Sequence, residues 1–155
     1  TTAAAVDSAD RWNDTAPTSS VFSLGTGAEV NTNTEAYIAY LFSEVRGFSS
    51  FGYYTGSGTA DGPMVLTPGI SPAFVMVKNV SAAENWAVWD NARVTYNVNN
   101  KALFPNTTSA DTTESIDLLS NGFKIRDSSA FVNQSSTRMV YAAFAESPFK
   151  VSRAR

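Results

Sequence analysis

A helix cannot run through Phe51 to Pro63, FGYYTGSGTADGP. Gly52, Gly56, Gly58 and Gly62 would each cost about 1 kcal/mol in a helix interior, and each can take the positive φ of a tight turn. Pro63 restarts an extended strand after them. Phe48, Phe51, Tyr53 and Tyr54 alternate with or abut these glycines, so apolar mass is pinned to a chain that turns sharply. The setting this predicts is strand–turn–strand in an all-β domain. Core aromatics beside a turn are the plainer outcome, and an exposed shelf on which a sugar ring stacks is the sharper one.

The rest of the chain reads the same way. Short runs of branched and aromatic residues, separated by turn signals, predict strands at Val21–Leu24, Glu35–Phe42, Ser50–Tyr54, Met64–Leu66, Ala73–Val80, Asn85–Asp90, Ile116–Leu119, Phe123–Arg126 and Met139–Ala145. Glu35–Phe42 and Ala73–Val80 are apolar on both faces and are expected at the centre of a sheet. Asn121 and Gly122 predict a hairpin turn. No stretch shows sustained helical periodicity, and the strand spacing argues for an antiparallel sandwich or barrel.

Composition narrows the chemistry. The 155 residues hold no histidine and no cysteine, which excludes a Ser–His–Asp triad, a thiolate nucleophile, a disulfide framework and a histidine-containing zinc site. A hydrophobic fraction of 43% supports a core, while only 16% of residues are charged and Thr, Ser, Asn and Ala dominate the remainder. The net charge of −3 offers no footprint for nucleic acid. No run of 18 apolar residues predicts a membrane span, and no signal peptide is visible in TTAAAVDSAD.

Self-similarity organises the chain further. Residues 1–44 align with 107–146: Val30 and Asn31 match Val132 and Asn133, Phe42 matches Phe144, and Glu44 matches Glu146, each pair 102 positions apart. Phe22 and Leu24 correspond to Phe123 and Ile125 at an offset of 101. The expected organisation is the back half of a preceding repeat (1–44), a complete repeat (45–150) and a short basic tail (151–155). Its basic end is carried by Lys150, Arg153 and Arg155. Strand edges left open in the half unit would need another partner, either chain upstream of Thr1 or a second molecule.

The series FGYYTGSGTADGP, PAFVMVK, NWAVWDNARVTYNVNNK, LLSNGFKIR and YAAFAESPFK resembles a repeat domain of phage tail-fibre and other virion-associated proteins. The resemblance spans essentially the whole chain, since WNDTAPTSSVFSLGT through YIAYLF looks like the end of a preceding copy. It implies an antiparallel β-sandwich of the jelly-roll or lectin-like type. It implies no catalytic residue, because the family's function is largely unassigned, and the first copy lacks the front half that would carry the glycine motif.

Candidate residues follow from side-chain chemistry. Tyr53, Tyr54, Trp86, Trp89 and Tyr96 are the candidate glycan-contacting aromatics, most of them expected in the core. Glu44, Glu84, Asp90, Asp117 and Glu146 are the carboxylates for any acid–base role, but none forms a close pair on one strand face, and no catalytic residue is assigned. Asp61, Asp111, Asp117 and Asp127 could reach calcium only without an EF-hand spacing, so no metal and no cofactor is expected. The sequence thus predicts a non-enzymatic structural or adhesive module of a bacteriophage virion, in a fibre, tail or capsid decoration. Its partners would be other virion proteins, copies of itself in a homo-oligomer such as a trimer, and host surface glycans. The alternative is a lectin or polysaccharide-degrading enzyme on a jelly-roll scaffold.

Overall fold

A computed structural model of the chain describes residues 2–147. The expected tail 151–155, with Lys150, Arg153 and Arg155, and the last positions of the 45–150 unit lie outside the described residues. The chain divides into two compact units: Val6–Phe42, and a larger one formed by residues 43–147 together with residues 2–5.

The larger unit is mostly β. Its strands are β1 (Ser49–Thr55), β2 (Met64–Leu66), β3 (Pro72–Asn79), β4 (Trp86–Asp90), β5 (Ile116–Leu119), β6 (Gly122–Ile125) and β7 (Arg138–Ala145). They form two antiparallel sheets, β1-β7-β3-β4 and β2-β6-β5, consistent with a β-sandwich. The last strand, β7, lies between β1 and β3: Tyr53 pairs with Val140, and Val140 with Lys78. Pro72 opens β3, where its missing N–H breaks no ladder, and the register shifts between Pro72 and Phe74.

Alternation along the strands builds the core. Val75 and Val77 of β3, Ala87 and Trp89 of β4, and Met139 and Ala143 of β7 are fully buried. From the other sheet, Val65, Ile116, Phe123 and Ile125 join the same cluster. Phe123 meets Tyr141 edge-on, with ring centroids 5.3 Å apart. The opposite face of the four-stranded sheet carries a second aromatic group, where Phe144 stands edge-on to Phe48, Phe51 and Phe74 at 6.0, 5.8 and 5.9 Å. Residues 2–5 run beside the end of β3, where Ala5 N–H donates to Val80 O at 2.9 Å.

The smaller unit holds two four-residue helices, α1 (Ala9–Trp12) and α2 (Ala28–Asn31). A third, α3 (Ala130–Asn133), precedes β7 in the larger unit. Asn13 closes α1 in the left-handed conformation. Gly25 N–H and Gly27 N–H donate to Arg11 O and Asp10 O at 2.9 and 2.7 Å, and Arg11 pairs with Glu29 at 3.0 Å.

Two expected strands are absent here. Val21–Leu24 and Glu35–Phe42 belong to no strand, and Glu35–Phe42 is not buried: Ile38 is 81% exposed and Tyr40 80%. The apolar pattern of Glu35–Phe42 is that of a central strand, but a strand persists only with neighbours that take its backbone N–H and C=O groups. No strand exists among residues 6–42 to supply them.

Candidate functional site

The glycine run is an anchored loop. β1 ends in it, and Asn133 at the end of α3 holds it in place. Asn133 is fully buried; its Oδ1 accepts Ser57 N–H at 2.7 Å, and its Nδ2 donates to Thr59 O and Asp127 O, each at 2.7 Å. Gly58 N–H returns a bond to Asn133 O at 2.8 Å. The buried Tyr54 hydroxyl donates to Val132 O at 2.6 Å, and burial pushes it well above the usual tyrosine range. Of the four glycines, only Gly58 has positive φ, at 72°. Gly52 and Gly56 serve close approach instead. A Cβ on Gly52 would lie 2.9 Å from the Tyr141 hydroxyl, and one on Gly56 would meet the backbone oxygen of Gln134.

The five candidate aromatics separate by burial. Tyr54 and Trp89 are core residues, 7% and 0% exposed, in keeping with the expectation that most of the five pack inside. The Trp89 indole N–H is spent on Glu114 O at 2.9 Å. Both lie on the inward face of their strands, where aromatic area is worth most to the core. Tyr53, one residue along from Tyr54, points the other way and is 64% exposed, with the Arg138 guanidinium 4.7 Å from its ring centre. Trp86 is half-buried beside a shallow hollow of about 290 Å³ formed with Met76, Pro105 and Asn106. Its backbone N–H donates to Asn106 Oδ1 at 2.9 Å. Tyr53, Val140, Lys78 and Trp86 form one row across the sheet, so Tyr53 and Trp86 stand about 14 Å apart at three interstrand spacings. Tyr96 is exposed and lies outside the strands.

The carboxylates are engaged locally. Asp90 is partly desolvated, which opposes ionisation. The hydrogen bonds and charge of Arg93, 2.5 Å away, with the Ala92 N–H, overcome that and hold it below the usual carboxylate range. Asp61 is lowered by its hydrogen bond and ion pair with Lys124, assisted by Arg126. Asp117 faces Arg126 at 3.6 Å, Asp111 faces Lys101 at 3.4 Å, and Asp127 accepts Ser129 N–H at 2.7 Å. Glu44 accepts a long bond from the Ser50 hydroxyl at 3.5 Å. Among the described residues, no three acidic side chains converge on a point that could hold a metal ion.

Sequence reasoning missed several buried polar groups, Lys78 and Asn79 among them. Lys78 is 3% exposed, and its ammonium donates to the carbonyls of Thr2, Asn79 and Ala82, burial holding it below the usual lysine range against the opposing charge of Glu84. Asn79 is fully buried and donates to Ala130 O at 2.9 Å and Gln134 Oε1 at 2.8 Å. Asn133 had a signal in the sequence, since it falls in the pair matched to Asn31.

Within Val6–Phe42, Trp12, Phe22, Leu24, Val30, Ile38 and Leu41 line an open groove of about 580 Å³. A family model for a domain of unknown function, DUF7483, matches residues 1–148. The chain belongs to that family. The match takes in both compact units of this DUF7483 chain. No curated protein and no solved structure matches it.

Proposed function

We propose that this DUF7483 chain is a non-enzymatic structural or adhesive module of a bacteriophage virion, built on a jelly-roll, lectin-like sandwich and displayed on a fibre, tail or capsid surface. The observation that carries the reading is the ordered series of motifs, FGYYTGSGTADGP through YAAFAESPFK, which resembles that of virion repeat domains. Each motif builds a part of the scaffold. FGYYTGSG is β1 and its locked loop, PAFVMVK is β3, and YAAFA is the strand between them. The partners on this reading are other virion proteins, further copies of the chain in a homo-oligomer such as a trimer, and host glycans.

Antibodies raised against the domain are expected to decorate purified particles of the encoding phage in electron micrographs. A domain made in infected cells but missing from purified particles overturns the reading. A lectin role is favoured by exposed Tyr53 and half-buried Trp86 on one sheet face. On a glycan array, Tyr53→Ala and Trp86→Ala are then expected to lose the signal of the parent chain, and an array without hits removes that role.

A further inference from the structure

The groove in Val6–Phe42 is lined by residues whose counterparts form the core of the larger unit. Phe22 and Leu24 correspond to Phe123 and Ile125 at an offset of 101; Val30 and Leu41 correspond to Val132 and Ala143 at 102. All four counterparts are fully buried. There, β1 and β3 close the core from the other side, through Tyr54, Val75 and Val77. At the same offset α2 repeats α3, AEVN for AFVN, and residues 36–43 fall where β7 lies between β1 and β3.

The polar groups repeat the correspondence and show what is missing. Asn31 Nδ2 donates to Gly25 O at 2.9 Å, as Asn133 Nδ2 donates to Asp127 O at 2.7 Å, and Gly25 and Asp127 are themselves 102 apart. Asn133 also grips Ser57 and Thr59 of the glycine loop, whereas Asn31 is exposed. Ala130 O accepts from Asn79 of β3; its counterpart Ala28 O accepts instead from Tyr37 and Thr32, two hydroxyls of its own unit, each at 2.7 Å.

We infer that the groove and residues 36–43 are an interface for the front half of another unit of this fold, the stretch corresponding to residues 45–106. Its counterparts of β1 and β3 flank residues 36–43, and its glycine loop takes the open bonds of Asn31. A small apolar ligand would satisfy the groove but neither Asn31 nor the backbone of residues 36–41. The inference stands apart from the virion reading, since it concerns only how two halves complete one sandwich.

The test joins a second copy of residues 45–106 ahead of Thr1 in the full chain and follows amide hydrogen exchange. Exchange at Tyr37–Leu41 is expected to slow about a hundredfold or more relative to the 155-residue chain, approaching that of β7. Asn31→Ala in the extended chain is expected to return part of that protection. β7 of the existing unit reports whether the protein is folded. If β7 stays protected while Tyr37–Leu41 exchange as before, the inference fails. It fails equally if the 155-residue chain alone protects Tyr37–Leu41 by self-association seen in sedimentation, because the occupant is then a different surface of a second copy.

Discussion

Asn133→Ala is the sharpest probe of the locked loop. The substitution removes the acceptor for Ser57 N–H and the donor for Thr59 O and Asp127 O, three bonds of 2.7 Å at a fully buried side chain. At about 1 kcal/mol net for each bond, the expected loss is about 3 kcal/mol. For a unit of this size, that lowers Tm by about 10–20 °C. Asn31→Ala is the matched control, because Asn31 makes only the local bond to Gly25 O. It is expected to move the main transition by less than about 3 °C. Thermal and urea unfolding, read by Trp fluorescence with far-UV circular dichroism to confirm retained sheet, separates the two. If both variants lower the transition equally, or if Asn133→Ala costs less than about 0.5 kcal/mol, the loop is not held by this side chain.

Three further outcomes follow from the geometry. Gly52→Ala places a methyl group 2.9 Å from the Tyr141 hydroxyl and is expected to destabilise by about 1–3 kcal/mol in urea unfolding, with Tyr141→Phe in the same chain restoring part of it. Tyr54→Phe removes the donor to Val132 O while keeping the ring, for an expected loss of about 1 kcal/mol in the same assay. Asp90 has a lowered native pKa, so its pairing with Arg93 stabilises the fold above its ordinary value of 3.8 and is lost as pH falls through the native value. Asp90→Asn is therefore expected to flatten the acid limb of a stability-versus-pH curve below about pH 4 and to lower stability at pH 7, and an unchanged acid limb refutes it.

Seven of the nine expected strands form, because each carries its own local signal. Branched and aromatic alternation marks β3, β4 and β7; the hairpin from β5 to β6 forms, although it turns at Ser120 and Asn121, with Gly122 already in β6; and Pro72 starts β3. The pairing of β1 with β7 had no such signal, since Tyr53 and Val140 come together only through the whole fold. The candidate aromatics were separable only by strand phase. Once Tyr54 faces inward, Tyr53 must face out, and in β4 Trp89 inward leaves Trp86 on the outer face. A single-sequence count of aromatics cannot fix that phase. Asn79 and Lys78 stayed hidden because a polar side chain reveals its burial only through partners distant in sequence, such as Gln134 for Asn79 and Thr2 for Lys78.

Residues 36–43 and β7 carry similar apolar patterns, AYIAYLFS and RMVYAAFA, yet only the second forms a strand. The difference does not lie in the eight residues. β7 is hydrogen-bonded along both edges, by β1 and by β3, and its inward side chains meet Phe123 and Val132 in a closed core. Residues 36–41 have the apolar side chains for such a place but no strand beside them, and the enthalpy of a ladder cannot offset the entropy of straightening a chain that has no ladder to join. Tyr37 shows how the segment responds. It corresponds to Met139, fully buried in the core, but it turns back to its own unit and donates its hydroxyl to Ala28 O. That carbonyl is the counterpart of the one Asn79 of β3 binds in the complete unit. A strand pattern in a sequence is thus a statement about two neighbours as much as about itself, and here the neighbours decide which of two like segments becomes sheet.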